Sequence, residues 1–142
     1  MKSVREKLSR YVLLKKETEN CLERLARMRS NAELPALKQG EGSRGAAGNR
    51  VGKAVEECLE YEARIRPIVE MNQKEMREIE SAVKKIKDPL EREVLWLRYI
   101  EGEGARLLSW KEVAYSMTGA CSDAAQKRMK RIHRKAIEKV LI

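Results

Sequence analysis

The chain has 142 residues, of which 37% are Asp, Glu, Lys or Arg and only 4% aromatic, with no Phe. That length holds one domain or two small ones, and a charged, helix-forming composition without alternating β-branched runs excludes a sheet protein with a thick core. The net charge of +9 is unevenly placed: +5 over residues 1–30, −2 over residues 31–104 and +6 over residues 105–142. A neutral middle between basic ends points to nucleic acid as partner, against the plainer reading of a solvated charged surface.

Cys21, Cys58 and Cys121 are far apart, no Cys pair has metal-ligand spacing, and His133 is the single histidine. Free thiols in a reducing cytoplasm are expected, with no metal and no other cofactor. No apolar signal core and no apolar run long enough to span a bilayer is present, so no membrane partner is expected. There is no P-loop and no clustered nucleophile and base, and the many carboxylates lie among Lys and Arg as surface ion pairs do. An enzyme is therefore not expected.

In chain order, residues 2–29 read as a helix, with Ser3 and Glu6 as a capping box. Its apolar positions include Leu8, Tyr11, Val12, Cys21, Leu22, Leu25 and Met28. Residues 31–49 hold Pro35 and four glycines and read as a Gly-rich loop, either a linker or a basic arm with Lys38, Arg44 and Arg50. Then Val51, Val55, Cys58, Glu62, Ile65, Val69, Asn72, Met76, Ile79, Val83 and Ile86 alternate steps of four and three, a heptad seam in which Glu62 and Asn72 are polar. Pro67 predicts a kink. The seam must be covered by the first helix folding back, by a second subunit, or by both. A homo-oligomer through the seam from Val51 to Ile86 is the expectation drawn from it.

Asp88 and Pro89 mark the next helix start, and the apolar residues Leu90, Val94, Leu97 and Ile100, widened by Leu95, Trp96 and Tyr99, carry the helix to about Gly102. A loop leads to Ser109, which caps a short helix whose apolar face is Trp110, Val113, Ala114 and Met117. Gly119 sits in the turn that follows, and Ser122 caps a long basic helix over residues 122–142. Ala125, Met129, Ile132, Ala136 and Val140 fall on its apolar side. Asp123, Lys127, Lys130, Arg131 and Arg134 fall opposite, with Arg128, Lys135 and Lys139 on one flank and His133 and Ile137 on the other. This is the pattern of a helix-turn-helix whose second helix enters the major groove of double-stranded DNA. The candidate DNA-binding residues are Gln126, Lys127, Arg128, Lys130, Arg131, Arg134 and Lys135. Roughly five phosphate contacts correspond to a log–log salt slope of about −4 to −5. His133 reads as a flank or phosphate residue, and Trp96 and Trp110 read as core.

The residues Leu97-Arg98-Tyr99-Ile100-Glu101-Gly102, Ser109-Trp110-Lys111-Glu112-Val113-Ala114 and Arg131-Ile132-His133-Arg134-Lys135-Ala136-Ile137, with Ser43-Arg44-Gly45 upstream, follow a recognisable order. The chain resembles the phage and prophage transcription regulators with a sigma region 4-like C-terminal domain, the RinA-like and ArpU-like late-gene activators. It departs from their pattern in the inserted Gly102–Leu108 stretch and in a longer segment between Met117 and Met129. The resemblance implies an all-α fold: a long N-terminal helical hairpin or coiled-coil stem over residues 1–87, then a helix-turn-helix domain over residues 88–142. It also implies a sequence-specific regulator that activates late genes, located in the cytoplasm of a bacterial host on the nucleoid. Two alternatives stay open: a sigma-like module that binds RNA polymerase rather than DNA, and a small-terminase-like DNA-packaging protein.

Overall fold

A computed structural model describes the backbone of residues 2–37 and 44–142 and the side chains of residues 2–33 and 52–142. The protein is all-helical, and no strand occurs among the described residues. The helices are α1 (Val4–Leu37), α2 (Arg44–Lys84), α3 (Pro89–Leu95), a π-helical segment (Trp96–Ile100), α4 (Trp110–Thr118) and α5 (Asp123–Ile137). No helix among the described residues is long and apolar enough to cross a membrane.

The loop expected over residues 31–49 is mostly helix, because α1 runs on to Leu37 and α2 already starts at Arg44. Residues 38–43, with Lys38, Gly40 and Gly42, lie outside the described residues, as do the side chains of Arg44 and Arg50. The physical reason is cooperativity. Once a helix is nucleated, adding a residue costs little, and each glycine lowers propagation by only about 1 kcal/mol relative to alanine. Pro35 falls in the last turn of α1, where it removes a single backbone bond. Pro67 lies inside α2, and the helix is unbroken through it.

The chain forms two compact units: Met1–Lys16 with Asn72–Ile142, and Glu17–Met71. In the first, α1 begins on the expected capping box, Glu6 N–H donating to Ser3 Oγ (3.2 Å) and Ser3 N–H to Glu6 Oε2 (3.4 Å). Leu8 and Tyr11 of α1 pack with Ile79, Ala82, Val83 and Ile86, and the same cluster takes in Leu95, Tyr99, Ile100, Ala136 and Val140. The core beneath α5 is therefore built partly from residues 4–11 and 76–86. Arg10 meets Glu75 at 2.7 Å, and the Tyr11 hydroxyl donates to Glu80. Burial and the neighbouring Glu80 push the Tyr11 phenol well above its ordinary pKa, so it stays protonated.

Among the described residues of the second unit, Leu25 packs against Tyr61 and Ile65, flanked by Cys21, Met28 and Val69. Arg24 and Arg64 lie over the Tyr61 ring at 4.8 and 5.2 Å, and Arg29 pairs with Glu62 at 3.0 Å. In each unit the seam is thus covered by α1 residues of the same chain. Cys58 and Ile65 are buried in one, and Asn72, Ile79, Val83 and Ile86 in the other. Val55, nearer the start of the seam, is 44% exposed.

Candidate nucleic-acid interface

Four short segments of the first unit shape one end of it. Asp88 caps α3 by accepting from the N–H groups of Leu90 (2.9 Å) and Glu91 (3.2 Å), with Pro89 as the first helical residue. At Trp96 the ladder widens to a π turn, closed by Glu101 N–H donating to the Trp96 carbonyl at 3.2 Å. Leu95, Tyr99 and Ile100 are buried across this segment, whereas Leu90, which simple periodicity places on the apolar stripe, is 40% exposed. Gly102 is buried in the following loop. Ser109 then caps α4 through Glu112 N–H (3.2 Å).

The turn between α4 and α5 is held by its own side chains. Gly119 is left-handed at φ 78°, the conformation that ends a helix most cheaply with glycine. Thr118 Oγ1 donates to the Ala114 carbonyl (2.8 Å) and accepts from Ala120 N–H (3.1 Å). Ser122 accepts from Ala125 N–H (3.3 Å), so α5 begins at Asp123. Gln126 Nε2 donates back to the Cys121 carbonyl at 2.9 Å. The longer Met117-to-Met129 segment is therefore an ordered turn followed directly by helix.

The buried face of α5 differs from the expected one. Met129, Ala136 and, just beyond the helix, Val140 are buried, but so is His133, at 5% exposure. His133 lies one turn from both Met129 and Ala136, which puts it on the core side rather than on a flank facing phosphate. Its Nε2 shares a 2.6 Å hydrogen bond with the Tyr99 hydroxyl, and its ring meets Trp110 edge-on at 5.0 Å between centroids. Burial first, then the charges of Arg5 and Arg98, lower the imidazole to about 4. Burial also raises the Tyr99 phenol. A neutral imidazole and a protonated phenol suit one another as acceptor and donor. Arg98 stacks over Trp110 at 4.6 Å and donates to the Leu108 carbonyl, which ties the loop to the same cluster. Ile137, expected on a flank, also packs on the core.

Helix α5 stops at Ile137 rather than continuing to residue 142. Leaving the helix lets Val140 turn into the core and lets Lys139 reach the buried Glu91 carboxylate at 2.8 Å. A carboxylate at 8% side-chain exposure requires such a partner. Lys139 is thereby committed, and this partnership raises its pKa.

The outward face carries the charge. Lys127, Arg128, Lys130, Arg131, Arg134 and Lys135 are all exposed, and none forms an ion pair within 4.0 Å among the described residues. Arg128, Arg131, Arg134 and Lys135 border a shallow hollow of about 440 Å³ with Ile132 and Glu138. Gln126 stands apart from these six, half-buried and bonded to the turn. Sequence reasoning passed over the outer side of α4. There Lys111 and Tyr115 are exposed, Tyr115 at 65%, beside a second hollow that reaches Cys121. The available signal was that Tyr115 falls off the apolar face of Trp110, Val113, Ala114 and Met117. Among the described residues no group of His, Cys, Asp or Glu could hold a metal ion. Comparison with protein-family models, with curated proteins and with solved structures returned no match.

Proposed function

We propose that the protein is a sequence-specific DNA-binding transcription regulator of the phage or prophage late-gene type, in which α4, the Gly119 turn and α5 act as a helix-turn-helix. The observation that carries this reading is α5 itself: six exposed cations on one side and a closely packed side that holds the helix on α3 and α4. A rigid basic helix of this kind presents Lys and Arg to phosphates along a groove, and residues near its start to base edges. Asp123, Lys127 and Arg128 occupy that start. Lys130, Arg131, Arg134 and Lys135 lie further along, suited to backbone contacts. Lys111 and Tyr115 of α4 flank the turn and extend the surface by one helix.

Selection of bound sequences from random duplex DNA tests the reading directly and is expected to return one motif. Lys130→Ala with Arg134→Ala should reduce binding to that motif by about tenfold to a hundredfold and make the salt slope shallower by about 1 to 2. Circular dichroism should stay unchanged, because both residues are exposed. Polymerase retained after nuclease treatment, with no motif and no footprint, would replace this reading with the sigma-like module. A ring-sized oligomer in light scattering would replace it with a packaging role.

A further inference from the structure

Helix α5 carries six Lys or Arg and one acid, so the acid stands out against everything around it. Asp123 is the first residue of the helix and is exposed. It shares a stripe with Lys127, Lys130 and Arg134. At roughly 3.6 residues per turn the four fall within about 60° of one another, on the side away from Met129, His133 and Ala136. The local tasks open to an acid at this position are taken or slight. Ser122, not Asp123, accepts the capping bond from Ala125 N–H (3.3 Å). Asp123 forms no ion pair within 4.0 Å among the described residues, although Lys127 lies one turn on. What remains locally is attraction to the positive end of the helix dipole, which water and salt screen at an exposed site. The other uncharged polar group at this end, the Gln126 amide nitrogen, is tied to the Cys121 carbonyl at 2.9 Å.

A carboxylate carried into a groove between phosphates opposes binding, through like charge and through lost hydration. That cost is offset only where the carboxylate meets a hydrogen-bond donor on a base edge. The major groove offers two, the amino groups of cytosine (N4) and adenine (N6), whereas guanine and thymine present acceptors there. In adenine the N7 acceptor lies beside N6 and repels a carboxylate oxygen; cytosine has no such neighbour. Resting on the DNA reading above, we infer that Asp123 is a specificity-determining residue, which accepts a hydrogen bond from the N4 amino group of a cytosine in the major groove. It acts both ways: it rewards cytosine and penalises the other bases, since an unpaired carboxylate there costs more than no side chain at all. The cations further along the same stripe hold the helix on the duplex, so the acid can sharpen the sequence preference while lowering the overall attraction.

The test runs selection from random duplex DNA in parallel on the full-length parent, Asp123→Ala and Asp123→Asn, then measures affinities for single-base-pair variants of the parent's motif. The parent should require cytosine at one position, where any other base costs about tenfold or more. Asp123→Ala should lose the preference at that position alone and bind the mismatched duplexes more tightly than the parent does. Asp123→Asn should move the same position toward adenine, because an amide both donates to N7 and accepts from N6. A side chain that merely stabilises the helix start would change affinity for all sequences alike and move no base preference. A motif returned unchanged by Asp123→Ala therefore overturns this inference and leaves the DNA reading standing, as does a uniform gain in affinity with every preference intact. A parent that selects no motif overturns the DNA reading and this inference with it.

Discussion

The two compact units differ in how many titratable groups they bury. The unit containing α5 encloses polar groups together with its aliphatic core: His133 bonded to Tyr99, Glu91 paired to Lys139, and Tyr11 bonded to Glu80. Among its described residues, the unit over residues 17–71 has a small apolar cluster, and its charged groups pair at the edge, as Arg29 does with Glu62. The difference follows from layer number. Two helices share one seam, and the charged groups beside it stay near water, although the small hydroxyl residue Thr18 is buried there. Several short helices meeting at angles enclose a volume, and a polar group inside must bring its partner with it. An enclosed polar network also fixes the orientation of the helix that carries it, here α5.

The contrast can be broken most directly by cavity mutants. Leu95→Ala removes a fully buried side chain from the multi-helix core and is expected to cost about 4 to 5 kcal/mol. Ile65→Ala in the two-helix seam should cost about 2 to 3 kcal/mol, because that site collapses more easily. Urea denaturation followed with hydrogen exchange measures both, and equal losses would remove the distinction.

His133 gives the next effect. Its folded value of about 4 lies below the unfolded 6.5, so the unfolded chain takes up the proton first as pH falls. The neutral imidazole's contribution is complete above pH 6.5 and is lost progressively down to about pH 4, by about 3 kcal/mol in all. His133 is the single histidine of the chain, so its imidazole resonance titrates without overlap. A midpoint near 6.5 in the folded protein would show that the ring is not enclosed. His133→Gln should flatten that part of the stability curve relative to the parent.

Gly102→Ala should cost about 1 to 3 kcal/mol by overpacking. A Cβ there would run into the Arg106 carbonyl oxygen and approach Val12 Cγ1 at 2.8 Å. Thermal melting of the two proteins is enough to read it, and an unchanged midpoint would mean that the loop yields freely. The smallest effect lies in the seam unit. Arg24→Ala removes a cation from the Tyr61 ring and should lower stability by about 0.5 to 1 kcal/mol, read from urea midpoints. A loss as large as that of Leu95→Ala would make Arg24 part of a core rather than an edge.

Local signals in the chain were strong wherever short-range chemistry acts alone. Ser3, Asp88, Ser109 and Ser122 cap their helices as their spacing predicts, because a cap involves only the next three residues. Gly119 ends α4 for the same reason. The exposed cations of α5 were legible as well, since charge rarely goes inside without a partner. Less legible was the extent of α1 and α2, where glycines and Pro35 argue for a loop and cooperativity extends the helix.

All-helical character, the caps and the basic outer face of α5 were determined by the sequence alone, through propensity, periodicity and the cost of burying charge. Tertiary structure decided three things. His133 became a core residue because the π turn brings Tyr99 within hydrogen-bond reach of its ring. Helix α5 ended at Ile137 because Val140 and Lys139 find better partners off the helix axis. Residues 4–11 and 76–86 became part of the core under α5 because Ala136 of that helix, and Val140 just beyond it, share one cluster with Leu8, Tyr11 and Val83. Each depends on groups distant in the chain meeting in space, which no local pattern encodes.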